Sequence, residues 1–489
     1  MTSITPQTGG PVDAWERFPS WLRAETTAYA AERIGEVNQG VTGAAGTWQP
    51  LRPLYLEPSG YDRLASVSWR LMELVLESCR RRAGTVGELV DVLRVPRADI
   101  PLVRAADPLD EALLVSARPD VVYSAGVPKF VEFNIDGATG GTHHADLLAR
   151  RFCALLQGRS GGGSPVFSTP PSAVDARFAV IRSSLGLSDG DHVVIPVFSE
   201  GTVPGLEDEK VFKDWLAPMC DSGARHGLDT VACSLDDLVA AEDGSISLHG
   251  RRVDAVFRLF QPVDQPAGPG LAALVRAVQR ETVKMHTTES PWVLGDKTTL
   301  AWLWADRDLL TADDRHLVEQ HVPWTVLLST PGTVDEQQLA HARSHRPDLV
   351  LKPSNGYGGS GVVVGRAASD AEWDAALTGA AQSRHPHVLQ RFAEPDRLEM
   401  PFLRTDTGLV EHARVPFVVG PYLFGGKASG VLVRHGVPGG GLVLNAHHGA
   451  LMNAAVLVDL AGLAGPVDDA DLGDDADLGD DVDLLDRAC

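Results

Sequence analysis

Two stretches of the chain place chemically capable residues at informative spacings. The first, DLVLKPSNGYGGSGVVVG at 348–365, sets Gly356, Gly358, Gly359 and Gly361 around Ser360. Glycines let a backbone adopt positive φ and approach a ligand closely. Successive N–H groups on such a loop cradle phosphate oxygens. Lys352 ends the apolar run before the loop and adds a positive charge there. The second stretch, ARPDVVYSAGVPKFVEFNIDG at 117–137, carries Arg118-x-Asp120 and, twelve residues on, Glu132-x-Asn134. On a strand, an E-x-N pair turns both side chains to one face. Asp120, on an adjacent strand, can aim at the same point. One or two carboxylates together with nucleotide phosphates suit Mg²⁺, a hard cation that takes oxygen ligands. Arg118 would stabilise charge developing on a transferring phosphoryl group.

Context separates the glycine loop from better-known phosphate loops. Gly356-x-Gly358-x-x-Gly361 matches the dinucleotide fingerprint, but that fingerprint needs a helix after the loop. Here VVVG follows, which reads as a strand. A protein kinase needs its lysine after the loop, with HRD and DFG motifs. This lysine precedes the loop and neither tripeptide occurs. No Gly-Lys-Ser/Thr follows, so Walker A is absent too. A glycine-rich hairpin without a ligand remains the alternative.

A strand ending in lysine, followed by a glycine-rich hairpin, resembles the ATP-grasp superfamily. The order of the two stretches resembles its circularly permuted ligases, in particular the glutathionylspermidine synthetase type. There an R-x-D strand and an E-x-N strand precede the nucleotide-binding half. The resemblance covers roughly 112–140 and 290–450. It implies ATP and Mg²⁺ as cofactors, with Lys297, Lys352, the glycine loop and Gln390 on the nucleotide. It makes Asp120, Glu132 and Asn134 the metal ligands and Arg118 the catalytic residue. Gln390, in HVLQRFAE, falls in the adenine-contacting hinge slot. The relatives continue E-x-N with Ala-Asp, whereas Ile135-Asp136-Gly137 follows here, which leaves the polyamine substrate of that type open.

Several elements must position these residues. Trp15–Ile34 and Tyr61–Arg82 have helix-like spacing; in the second, Leu64, Val67, Leu71, Leu74 and Val75 recur every three or four residues. Residues 112–136 read as paired strands about a Gly-Val-Pro turn. HVVIPVF (192–198) and DAVFRLF (254–260) are the clearest β-like runs of an α/β lobe. The expected fold class is α/β (α+β), a permuted ATP-grasp with a pre-ATP-grasp-like α/β lobe. Its divisions are a mainly helical region at 1–111, metal-binding strands at 112–157, an α/β lobe at 158–290, an ATP-binding lobe at 291–466 and a tail at 467–489. That tail holds ten Asp, no Glu and one Arg, and takes −9 of the net charge of −22. Such a block repels itself, and disorder is the expectation.

Composition excludes several classes. The chain has 489 residues, a length for two to four domains. Its five cysteines form no CxxC pair, which argues against a disulfide scaffold or structural zinc site and fits a reducing cytoplasm. The N-terminus has no secretory pattern and no apolar run spans a bilayer. A pI near 5.1 argues against a nucleic-acid partner. Lys427 and Arg434, in GGKASGVLVRHG, read as a basic rim near the phosphates, a site for a substrate carboxylate, or ordinary cations of an exposed loop. Asn445 is a weaker candidate, His143 and His144 suit capping or packing, and Trp302 and Trp304 suit the core. The expected activity is an ADP-forming carboxylate–amine ligase that forms an amide through an acyl phosphate, acting on small-molecule acids and amines. The rivals are an ATP-grasp enzyme with a carrier-protein thiol as acceptor, a phosphotransferase and a non-catalytic nucleotide-binding protein.

Overall fold

The apolar run near the C-terminal end becomes one strand, Val410–Phe424, fifteen residues long, around which a nine-stranded sheet is built. Its first half pairs with Arg397–Arg404. Its second half is flanked on both edges, by Lys427–His435 and by Ser116–Ser124. Ser116–Ser124 in turn pairs with Val127–Asn134, so the R-x-D and E-x-N strands form an antiparallel hairpin on this sheet. The structure is a computed structural model that describes residues 12–39, 46–157, 165–197, 209–330, 332–356, 358–444 and 449–461. The acidic tail at 467–489 and Asn445 lie outside the described residues.

The helix Pro58–Arg80 packs on the nine-stranded sheet through the stripe anticipated from its spacing. Leu64, Val67, Leu71, Leu74 and Val75 are all buried in the main core, each worth about 1.5–3 kcal/mol of transfer free energy when fully buried. Within 1–111, expected to be mainly helical, two short strands also occur. Trp48–Pro50 pairs with the Arg397–Arg404 strand, and Leu54–Leu56 runs parallel to Leu451–Asp459. Three residues are too few to show a period of two, so spacing could not reveal them.

A second sheet is wholly parallel, in the order Lys284–His286, Ala255–Phe257, His192–Val197, Asp229–Ser234. Helices Ala173–Ser184, Glu209–Arg225 and Pro269–Gln279 accompany it. The run DAVFRLF gives only the strand Ala255–Phe257, because Arg258 leaves the ladder to meet Asp136. Ligands of parallel sheets bind beyond the carboxyl ends of the strands, and here those ends lead into Arg258 and Thr287.

The third layer is an antiparallel sheet of five strands: Thr333–Val334, Thr325–Thr330, His387–Arg391, Leu349–Pro353 and Val363–Val364. Leu351, Leu389, Trp373 and Leu377 form its core with helix Asp370–Gln382. The segment after the glycine loop is thus a strand that folds back on Val350 and Leu351, not a helix. Among the described residues no helix is long and apolar enough to cross a membrane.

Candidate active site

The hairpin that carries the first motif is closed by Ala125 and Gly126, both at positive φ, as a two-residue hairpin turn of the favoured twist requires. Asp396 accepts hydrogen bonds from both of their N–H groups, at 2.9 and 2.8 Å. The ladder places Arg118 opposite Asn134 and Asp120 opposite Glu132. The register shifts beyond Asp120, where Val121 pairs with Phe130 and Val131 is left over. This β-bulge lets Phe130 and Phe133 both face the core, stacked with centroids 5.8 Å apart. Glu132 and Asn134 consequently share the opposite face with Arg118 and Asp120.

Cations meet these carboxylates from three other elements. Lys297 Nζ lies 3.0 Å from Glu132 and also donates to the Gly356 carbonyl. Arg434 Nη2 lies 2.6 Å from Asp120 Oδ2. Lys352 Nζ donates to Gln390 Oε1 at 2.7 Å and to the Val131 carbonyl at 3.2 Å. The Gln390 amide donates to Thr325 Oγ1 at 3.1 Å, which fixes the direction of its carbonyl. Arg118 Nη1 donates to the Gly140 carbonyl at 3.0 Å. A Cβ at Gly420 would stand 2.9 Å from Arg118 Cδ, so a glycine there leaves the arginine its path across the sheet.

Burial sets the electrostatics. Burial works against the charge of Asp120, but the Arg434 and Arg118 guanidiniums overcome it and hold its pKa below the usual carboxylate range. Burial pushes the Lys352 ammonium down to about 8, against the pull of Glu132 and Asp120. Four cations (Arg118, Lys297, Lys352 and Arg434) surround two carboxylates, which leaves a formal charge of +2. Asp120 Oδ1 and Arg118 Nε lie 3.7 Å apart, and each is buried without a hydrogen-bond partner. An unfilled acceptor beside an unfilled donor suits a cation and a phosphate oxygen.

Two cavities meet at this hairpin. The smaller, of 180 Å³, lies between the hairpin and the five-stranded sheet. Lys352, Gln390, Phe392, Val364 and Leu444 line it, and Gly358 and Gly359 close it. The larger, of 330 Å³, opens toward the parallel sheet and is lined by Thr139, Gln261, Trp292, Lys297 and Gly356 among others. Arg118, Glu132, Asn134 and Gly358 belong to both linings and form the shared wall. Gly358, Gly359 and Gly361 all have positive φ, the conformation that the run of glycines in the sequence suggests.

The structure therefore brings together Arg118, Asp120, Glu132, Asn134, Lys297, Lys352, Gly356, Gly358, Gly359, Gln390 and Arg434. Ser360 and Gly361 form the exposed tip of the loop and line neither cavity. Lys427 stands apart, at the exposed start of its strand beside Gly425–Gly426. Arg434 is seven residues further along that strand, about 23 Å away at about 3.3 Å per residue, so the two cations do not form one rim. His144 is buried and His143 lies beside it, and neither lines a cavity. Trp302 packs on the main core under Arg82, and the Trp304 indole donates to the Pro323 carbonyl.

Spacing alone did not single out Asp296, Ser354 or Tyr422. Asp296 accepts from Ser354 Oγ at 3.1 Å and from the Thr298 N–H at 2.8 Å, and the Lys297 N–H donates to the Ser354 carbonyl. These bonds tie the Lys297 turn to the end of the Lys352 strand. The available signal was the Asp296-Lys297-Thr298 order at a helix start, a capping pattern.

Comparison with known proteins agrees at the level of fold. A glutathione synthetase-like effector from Globodera pallida superposes with a TM-score of 0.51 at 12% identity, over 90% of this chain and 97% of that one. D-alanyl-alanine synthetase A from Vibrio cholerae gives a TM-score of 0.28 at 9% identity, over 57% of this chain and 90% of that one, too weak a likeness to argue from. A putative glutamate–cysteine ligase from Frankia alni is 29% identical over 166 residues, 33% of this chain. The match spans only 17% of that relative's length. No protein-family model matches the chain. The fold is mixed α/β and similar to that of the glutathione synthetase-like effector.

Proposed function

We infer that the chain is an ATP-dependent, ADP-forming carboxylate–amine ligase of permuted ATP-grasp topology. The observation that carries this reading is the shared wall of Arg118, Glu132 and Asn134, where Arg118 Nε is unpartnered and Asp120 Oδ1, beside it in the smaller cavity, is unpartnered too. The smaller cavity takes the adenine and ribose of ATP, with Gln390 and Lys352 at its inner end. The glycine loop and Lys297 hold the phosphates and direct the γ-phosphoryl group to the wall. The acid substrate occupies the larger cavity with its carboxylate toward Arg118.

Two carboxylates and one amide fit Mg²⁺, which completes its shell with phosphate oxygens and water. Asp120, Glu132 and Asn134 would hold the Mg²⁺, which would supply charge neutralisation for the phosphoryl transfer. A substrate carboxylate oxygen attacks the γ-phosphorus, the bond to the β-γ bridging oxygen breaks, and an acyl phosphate and ADP result. An amine then attacks the acyl carbon, loses a proton, and expels inorganic phosphate as the amide forms. Arg118 stabilises the charge that spreads over the phosphoryl oxygens, and the remaining residues work by positioning.

The test is ADP release from the chain with Mg²⁺, ATP and a panel of small acids, with hydroxylamine as the amine. An acid-dependent ADP signal with a trapped hydroxamate supports the ligase. ADP release with a stable phosphorylated product and no hydroxamate moves the assignment to a phosphotransferase. ATP binding without turnover by any acid rejects catalysis.

A further inference from the structure

The turn Ile135–Gly141 joins the Glu132 strand to the helix Thr142–Gln157, and it forms the floor of the larger cavity. Three buried or nearly buried arginines from three elements grip it. Arg258, from the end of a parallel strand, pairs with Asp136. Arg177, from the helix Ala173–Ser184, donates to the Thr139 carbonyl at 2.8 Å and the Thr139 hydroxyl at 2.9 Å. Arg118 donates to the Gly140 carbonyl, which also accepts from the Tyr422 hydroxyl at 2.7 Å. Gln261 adds a bond to Asp136 at 2.9 Å and Ser116 one to the Asp136 carbonyl at 3.1 Å. Gly137 packs so closely that a Cβ there would lie 1.9 Å from Thr287 Oγ1.

Burying two guanidiniums is costly, and 0–1% exposure leaves Arg177 and Arg258 no direct access to either cavity. Their hydrogen bonds to the turn instead fix where Thr139 and Gln261 stand on the cavity wall. The charge lining that cavity is already committed. Lys297 is paired with Glu132, and Arg258 behind the floor is paired with Asp136. Among the described lining residues Arg118 is the one cation with no carboxylate within hydrogen-bond reach, at 3.7 Å from Asp120. A single carboxylate therefore finds a cation, and the rest of the lining offers hydroxyl, amide and indole groups together with the Asp296 carboxylate, held by Thr298 and Ser354, which would repel a second acid group.

We propose that Arg177 and Arg258 are positioning residues for the acid substrate. They hold the turn Ile135–Gly141 so that Thr139 and Gln261 read the end of the acid away from its reacting carboxylate. The substrate class is a monocarboxylate whose distal end is neutral and hydrogen-bonding, such as an amide, and not a second carboxylate. The proposal rests on the ligase reading for which end reacts, but its test reads binding and not turnover.

Calorimetry with Mg²⁺ and a non-hydrolysable ATP analogue would compare acetate, N-acetylglycine and succinate. N-acetylglycine should bind at least fivefold more tightly than either of the others. Thr139→Val removes one hydroxyl with little change of volume and should weaken N-acetylglycine about three- to tenfold. Affinity for the ATP analogue should stay within twofold, and Thr139→Ser should restore the preference. Arg177→Lys, whose shorter side chain ends before the position of the Nη2 that donates to both Thr139 oxygens, should act in the same direction. A wild-type protein that binds the three acids equally, or not at all, overturns the proposal. So does a Thr139→Val protein with an unchanged preference. Absence of ADP release in the hydroxylamine assay, with the binding preference intact, would reject the ligase and leave the floor assignment standing.

Discussion

Lys352 gives the most demanding test, because its burial makes a proton report on nucleotide binding. Burial lowers the ammonium to about 8, while Glu132 and Asp120 pull it up and Lys297 pushes it down. Against an ordinary lysine this is a cost of about 3 kcal/mol for keeping the charge in the free protein. Below pH 8 both folded and unfolded chains hold the proton, and the folded state bears that cost. Between pH 8 and about 10.5 the folded protein releases the proton while the unfolded chain keeps it, so stability rises with pH. A polyphosphate beside the ammonium reverses the effect and restores an ordinary affinity for the proton. At pH 9 metal-free ATP should then bind with uptake of about 0.9 proton. Titration calorimetry in two buffers of different ionisation heat measures that number directly. Lys352→Met should abolish the uptake, weaken ATP about ten- to a hundredfold, and be more stable than wild type at pH 7. No proton uptake in the wild type, or equal uptake in the variant, would refute the placement of Lys352 on the phosphates.

Arg118→Ala should retain most ATP affinity while ADP release at saturation falls about 10²–10³-fold; a raised Kd with an intact rate would make Arg118 a ground-state contact instead. The surplus of cations at the wall should keep Mn²⁺ from binding the nucleotide-free protein, with affinity emerging only when ADP or ATP is added. Paramagnetic resonance of the free ion reads this, and tight binding of Mn²⁺ alone would contradict the charge balance. Arg258→Met leaves Asp136 buried without its cation and should cost about 3–5 kcal/mol of stability. Adding Asp136→Asn should recover part of that in denaturant melts, and strictly additive losses would argue against a buried pair.

Much of the site could be read from residue type and spacing, because its parts are local. Lys352 and the glycine loop lie within one strand–turn–strand, and Arg118, Asp120, Glu132 and Asn134 within one hairpin. The helix Pro58–Arg80 was equally plain, since five core residues repeat on one face. What spacing could not supply are the pairings between distant segments. Arg434 meets Asp120 only because Val410–Phe424 lies between their strands in the sheet. Nothing local to Arg177 or Arg258 tells that they end on Thr139 and Asp136. The separation of Lys427 from Arg434 is of the same kind, for two cations in one glycine-bounded stretch look adjacent until the strand between them is extended.

The leftover residue in the hairpin, Val131, has a consequence for anyone who would move this site to another scaffold. In a ladder of strict alternation, Phe130, Glu132 and Asn134 would share a side, and either the aromatic ring or the carboxylate would face the wrong medium. The irregularity is the hinge of that parity: one uncounted residue converts a pattern that cannot be buried on either side into one that separates oil from charge. A graft that kept Arg118 opposite Asn134 and Asp120 opposite Glu132 but straightened the strand would turn Phe130 out of the hydrophobic interior. Deleting Val131 would instead leave a regular ladder with Phe130 and Glu132 still on opposite faces, at the loss of the carbonyl that Lys352 meets. The transferable unit is thus the motif together with its flaw.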